Sequence, residues 1–201
     1  LHEVGHTLGL NHNFKASYLN NPTDVHNKDI TSKTGVTASV MEYPSINLAP
    51  LGTEQGDYYD VRPGPYDIWA IKYGYTPGLS KEDLDIIIQE SDKPEHMFAN
   101  DSEDMRYPGR GIDPRAMIYD LTNDPIEYAI QRIDLVNDSQ DKLIDKLNNK
   151  AESWEEYRLA HRILIGEYGR SLEVISRHIG GVYVERSNPK DKSGKDPYSP
   201  V

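Results

Sequence analysis

His2-Glu3-Val4-Gly5-His6-Thr7-Leu8-Gly9-Leu10-Asn11-His12 opens the chain, and its spacing decides how the rest is read. Residues four apart lie on one face of a helix, so His2 and His6 can offer ring nitrogens to a single cation. Glu3, beside the first histidine, can reach a water held by that cation. Gly9 permits a positive φ, which lets the chain turn sharply out of the helix, and His12 then returns with a third nitrogen. Three protein ligands with a fourth position open are the arrangement of a catalytic zinc centre. A bare H-E-x-x-H is a weak signal; the added glycine and third histidine make a chance match roughly 400-fold rarer. The bland alternative is a surface helix with incidental histidines.

A second motif follows at Ser39-Val40-Met41-Glu42-Tyr43-Pro44. The extended histidine motif followed by S-V-M-x-Y resembles the metzincin metalloproteases, and the Ser-Val-Met-x-Tyr form looks most like the astacin and serralysin branches. The resemblance implies Zn²⁺ as cofactor and a peptide or protein as substrate. It implies that Met41 sits in a tight turn beneath the metal as a hydrophobic base, not as a ligand. Tyr43 would point its hydroxyl towards the metal and stabilise the oxyanion during reaction. Taken alone, Met41 could be an ordinary core methionine and Tyr43 a buried tyrosine with a structural hydrogen bond.

The stretch Gly64-Pro65-Tyr66-Asp67-Ile68-Trp69-Ala70-Ile71-Lys72-Tyr73-Gly74-Tyr75 and the later Asp113-Pro114-Arg115 look like parts of large bacterial metzincin-like zinc proteases. Those proteins are typically secreted or held in the cell envelope, so the resemblance implies an extracytoplasmic location. It also implies the fold class: mainly α, the helical lower subdomain of a metzincin-like α+β catalytic domain, with long ordered loops and little sheet. On this reading residues 1–186 are the C-terminal part of that domain, and 187–201 are a polar linker or tail. The active-site helix should begin a turn before His2, and the twisted sheet whose edge aligns substrate should lie upstream of Leu1. The chain therefore reads as a fragment that adjoins the rest of a longer parent on both sides. It is expected to bind zinc and cleave peptides less well than that parent, because positioning of substrate contributes much of the rate.

Composition narrows the field. The 201 residues are 36% hydrophobic and 27% charged, enough for a sizeable core. The 14 Tyr and 2 Trp argue against disorder. No apolar run approaches the ~20 residues of a membrane-spanning helix. With no cysteine, a disulfide scaffold, a CxxC redox site and a cysteine zinc knuckle are excluded. The net charge of -11 leaves no basic surface for nucleic acid.

Along the chain, residues 1–9 read as a helix and 11–62 as mostly loop, with 36–41 ordered. Pro65 suits a helical first turn that Gly74 ends, and Ser80 is an N-cap with Asp83 in the following turn. Residues 91–122 are irregular. A long helix starts at Asp124-Pro125, with Ala129, Ile133, Val136, Leu143 and Leu147 as its apolar stripe. The last helix opens with a capping box at Ser153-Trp154-Glu155-Glu156. Tyr157, Ala160, Leu164, Tyr168, Leu172, Ile175 and Ile179 trace its inward face, and Val182-Tyr183-Val184 suits a short strand.

Other candidates receive plainer readings. His26, His96, His161 and His178 lack ligand spacing and read as surface or helix-face histidines. Asp101, Glu103 and Asp104 could hold calcium, but without a glycine-punctuated loop a solvated acidic loop is the simpler account. No nucleophile elbow supports a serine hydrolase. The expected activity is a zinc endopeptidase, with His2, His6 and His12 on the metal and Glu3 and Tyr43 as catalytic groups. The alternatives are an inactive zinc-binding interaction module and a zinc hydrolase or hydratase acting on a non-peptide substrate. Glu3, which an inactive module would not need, argues against the former.

Overall fold

The computed structural model describes residues 1–103, 111–148, 153–186 and 196–201. Asp104 of the acidic cluster and 187–195 of the expected tail lie outside the described residues. The fold is mainly α. Among the described residues the helices are α1 (His2–Thr7), α2 (Lys28–Thr34), α3 (Pro65–Tyr75), α4 (Lys81–Ile88), α5 (Pro125–Asp141), α6 (Leu143–Leu147) and α7 (Trp154–Arg177). The strands β1 (Val182–Val184) and β2 (Tyr198–Pro200) pair antiparallel, Val182 opposite Pro200 and Val184 opposite Tyr198. The end of the stretch read as a tail is thus a strand. None of the described helices is long and apolar enough to cross a membrane.

Several helix starts follow the capping chemistry of the sequence. Ser80 accepts from Asp83 N and Asp83 returns the bond to Ser80 N, a complete capping box. Asp124 accepts from Glu127 N ahead of Pro125 in the first turn of α5. Helix α3 begins at Pro65 as expected but runs through Gly74 to Tyr75. Ser153, by contrast, makes no side-chain cap bond, so the capping box expected at α7 does not form. The long helix is broken at Lys142 into α5 and α6.

The inward face of α7 also differs from the apolar pattern. Tyr157, Ala160 and Leu164 are part-buried as expected, but the stripe then steps to Glu167, Ser171 and Val174. Tyr168, Leu172 and Ile179 point outward. The cause is polar. α5 and α7 pack antiparallel, and the buried Arg132 of α5 donates to Glu167 Oε2 at 2.6 Å and to Ile46 O at 3.2 Å. A buried guanidinium needs a carboxylate more than α7 needs another leucine facing in. Ser171 closes its own demand on Glu167 O. The apolar part of this contact is Met117, Ala129 and Val174.

The long loop from residue 11 to 62 is ordered by Asn and Asp side chains that hydrogen-bond the backbone. It contains α2, which the pattern did not reveal, and 3-10 turns at Ala16–Leu19 and Asp24–His26. Asn20 Nδ2 donates to Gly35 O and Val36 O, and Asn47 Nδ2 to Val25 O and Asp57 O. Asp60 accepts from Val36 N, Thr37 N and Thr37 Oγ1. Burial still pushes its carboxyl above the usual range. These bonds replace a large apolar core; one cluster here is only Val25, Val36, Leu121 and Tyr128. His26 and His96 are buried rather than superficial: His26 stacks near Tyr128 and His96 on Trp69.

At the centre lies Asp67, in the first turn of α3. Its carboxylate accepts from Ser39 Oγ at 2.5 Å, Val40 N at 2.9 Å and Gly64 N at 2.9 Å. It therefore caps its own helix and fastens residues 39–40 to that helix. Removing it leaves three buried donors without an acceptor. Asp67→Ala is expected to lower unfolding stability by about 3 kcal/mol, at the upper end for a lost charge-assisted bond. Asp67→Asn should lose less, since one oxygen is kept. Urea denaturation of the three proteins checks both.

Candidate metal centre

The first two histidines stand on α1, and Gly9 controls how the third arrives. Gly9 has φ +86, Leu10 N bonds Gly5 O at 3.0 Å and Gly9 N bonds His6 O at 3.0 Å. This is the Schellman closure of a helix, for which a residue without a Cβ is favoured. Tyr75 Oη, at the end of α3, donates to Leu8 O at 2.9 Å and supports the exit. Asn13 N then bonds Met41 O and Phe14 N bonds Ala99 O, which fixes the segment just after His12.

The result brings His2, His6 and His12 together. One ring nitrogen from each lies within 4.8 Å of the others, and the ring centroids are 4.9–5.4 Å apart. Each Nδ1 is already engaged. His2 Nδ1 lies 2.7 Å from Val40 O and His6 Nδ1 lies 3.0 Å from Leu10 O. A carbonyl oxygen can only accept, so both nitrogens carry the proton and both Nε2 atoms are left bare in neutral imidazole. His12 Nδ1 lies 2.9 and 3.0 Å from the two oxygens of Asp101. The Nε2 atoms of His2 and His12 are buried without any hydrogen-bond partner. Buried polar atoms are rarely left so. Converging, unprotonated imidazole nitrogens suit a divalent metal of the zinc type. The donor set therefore fits the ion.

Met41 is wholly buried directly beneath α1. A Cβ on Gly5 would land on Met41 Sδ, so a glycine here lets the ligand helix rest on the methionine. Ser39 Oγ accepts from Met41 N at 3.1 Å and so closes the turn. Tyr43 is half-exposed, with its ring 4.8 Å from that of His2 and 5.0 Å from that of His12. Glu3 is exposed in the first turn of α1. The structure thus brings His2, His6, His12, Met41 and Tyr43 together, with Glu3 on the same helix.

Sequence reasoning did not connect three carboxylates with this centre. Asp67 had a signal: it stands three residues after Gly64, where an acidic side chain caps a helix. Asp101 was read only as a possible calcium ligand or part of a solvated loop, and nothing in the sequence joins it to His12, 89 residues away. Glu42 was only the variable position of the Met-turn motif. Its carboxyl is fully buried, accepting from Tyr43 N at 2.9 Å and Ser17 N at 3.3 Å. Asp120, which accepts from Ser17 Oγ at 3.1 Å, is buried close by. Burial pushes both carboxyls well above the usual range, and the charge of Asp120 adds to the effect on Glu42. The folded protein therefore holds a proton here that the unfolded chain releases near pH 4. Stability from this pair is present at low pH and is lost as pH rises through the raised folded values. Glu42→Gln should flatten that decline, read as melting temperature as pH is raised from about 4.

Comparison with known proteins agrees with this geometry. No curated protein and no solved structure matches the chain. The Met-zincin family model matches residues 1–201, the whole sequence. With the histidine cluster above a buried methionine turn, and with a match of that extent, the chain belongs to the Met-zincin family.

Proposed function

We propose that the protein is a zinc-dependent endopeptidase, with His2, His6 and His12 as the metal ligands. The observation that carries this reading is the convergence of three imidazoles whose Nδ1 atoms are engaged and whose remaining nitrogens, buried on His2 and His12, have no partner. Bound there, Zn²⁺ would supply a Lewis acid that lowers the pKa of water to about 7. Glu3 accepts the proton of the attacking water and delivers it to the leaving amine. Its exposure at the open end of α1 leaves it free to meet both. Tyr43 donates its hydroxyl to the oxyanion that forms as the carbonyl is attacked. Its ring is held against His2 and His12, and its backbone is fixed at both ends, by Glu42 Oε1 on its nitrogen and Tyr119 N on its oxygen. Met41 sets the height of the ligand helix and takes no part in the chemistry.

The division of roles separates binding from turnover. Glu3→Gln should leave zinc content unchanged while casein cleavage by the full-length protein falls about 100- to 10,000-fold. Tyr43→Phe should lower cleavage about 100-fold through kcat, with zinc retained. His12→Ala should lose the metal itself. Cleavage that survives Glu3→Gln at the wild-type rate would sink the reading.

A further inference from the structure

The acidic segment at Asp101 is accounted for neither by the ligand motif nor by the turn beneath it. Both carboxylate oxygens of Asp101 face His12 Nδ1, at 2.9 and 3.0 Å. His12 is the ligand that α1 does not hold. It comes after the helix exit, so its ring orientation must be set by something else.

The structure builds a support for that contact. Asn13, wholly buried and next in sequence to His12, donates through Nδ2 to Met97 O at 2.9 Å and accepts at Oδ1 from Ala99 N at 3.2 Å. Phe14 N donates to Ala99 O at 2.8 Å. The segment that carries Asp101 is thereby fastened to the segment that carries His12. Asn100 then shapes the turn itself: its Oδ1 accepts from Ser102 N and Ser102 Oγ, and its N donates to Glu103 Oε2. Asp101 is left projecting from a braced turn onto one ring nitrogen. A calcium role does not use these atoms; the carboxylate is already turned towards a histidine.

We infer that Asp101 is the positioning residue of the third metal ligand. It accepts the Nδ1 proton of His12, fixes the tautomer that presents Nε2, and raises the basicity of that nitrogen. Carboxylates in this relation to a ligating histidine typically contribute 10- to 100-fold in metal affinity. The side chain of Asp101 is 60% exposed, so the effect belongs at the lower end of that range. The inference rests on the zinc reading of the three histidines, and its test keeps the two apart.

Zinc affinity of the full chain is measured by competition with a fluorescent chelator, together with the melting temperature of the metal-free protein. Asp101→Ala should weaken zinc binding about tenfold and leave the metal-free melting temperature unchanged. Asp101→Asn should recover part of the affinity, because the amide oxygen still accepts from Nδ1. An Asp101→Ala protein that binds within about twofold of wild type overturns the inference. So does a loss matched by a fall in metal-free melting temperature, since Asp101 would then act on the fold and not on the ligand. Wild type and His12→Ala are run beside them. If wild type takes up no zinc, or His12→Ala binds as tightly, the metal reading itself fails and this inference fails with it.

Discussion

The carboxylate of Asp67 joins two segments whose relative position the histidine cluster requires. It ends one hydrogen-bond debt at the start of α3 and two at residues 39–40. From there the constraint passes upward in short steps. Val40 O orients His2, Met41 supports α1 at Gly5, and Met41 O holds Asn13, which follows His12. Two of the three histidines are thus placed by a turn that is itself placed by one buried anion. A charged group in the interior is costly unless fully hydrogen-bonded, and the three donors meet that requirement.

The same logic holds for the rest of the lower loop region. A chain with 36% hydrophobic residues and a mean hydropathy of -0.72 cannot order fifty residues of loop by apolar burial alone. Asn20, Asn47 and Asp60 instead satisfy backbone groups that would otherwise lie buried and unpaired. At the C-terminal end, Lys15, Asp113, Arg115 and Glu185 form a partly buried ion network that ties β1 to the body of the protein. Burial lowers the pKa of Lys15, while Asp113 at 2.6 Å opposes that shift. Such networks fix geometry through directional bonds, at the expense of tolerance to substitution.

This reliance on polar bonds explains what could be read from the sequence and what could not. The ligand spacing on α1 is local, four residues apart and then a glycine, so it was legible without any tertiary information. The starts of α3, α4 and α5 were legible for the same reason, through Pro65, Ser80 and Asp124. The inward face of α7 was not, because hydrophobic periodicity assumes an apolar neighbour, whereas Arg132 draws Glu167 inward. Gly74 illustrates a softer error: a glycine late in a helix lowers its propensity without ending it. Two partners of the clustered histidines, Val40 and Asp101, lie 38 and 89 residues from the rings they orient. No periodicity carries information over such distances.

The three histidines are oriented by acceptors of different origin. His6 bonds the carbonyl of Leu10, within the helix exit; His2 bonds the methionine turn; His12 bonds a carboxylate on a remote segment. Three separately anchored parts of the fold therefore meet where the three imidazoles converge. Ordering flexible ligands opposes metal binding, and here much of that ordering is already supplied by hydrogen bonds made without the metal. A ligand that binds only the folded state stabilises it in proportion to the logarithm of its concentration over its dissociation constant. An ion at this point would accordingly stabilise α1, the methionine turn and the segment at Asp101 together. That coupling would give a short helix of six residues, which would be marginal alone, a rigidity its own hydrogen bonds do not supply.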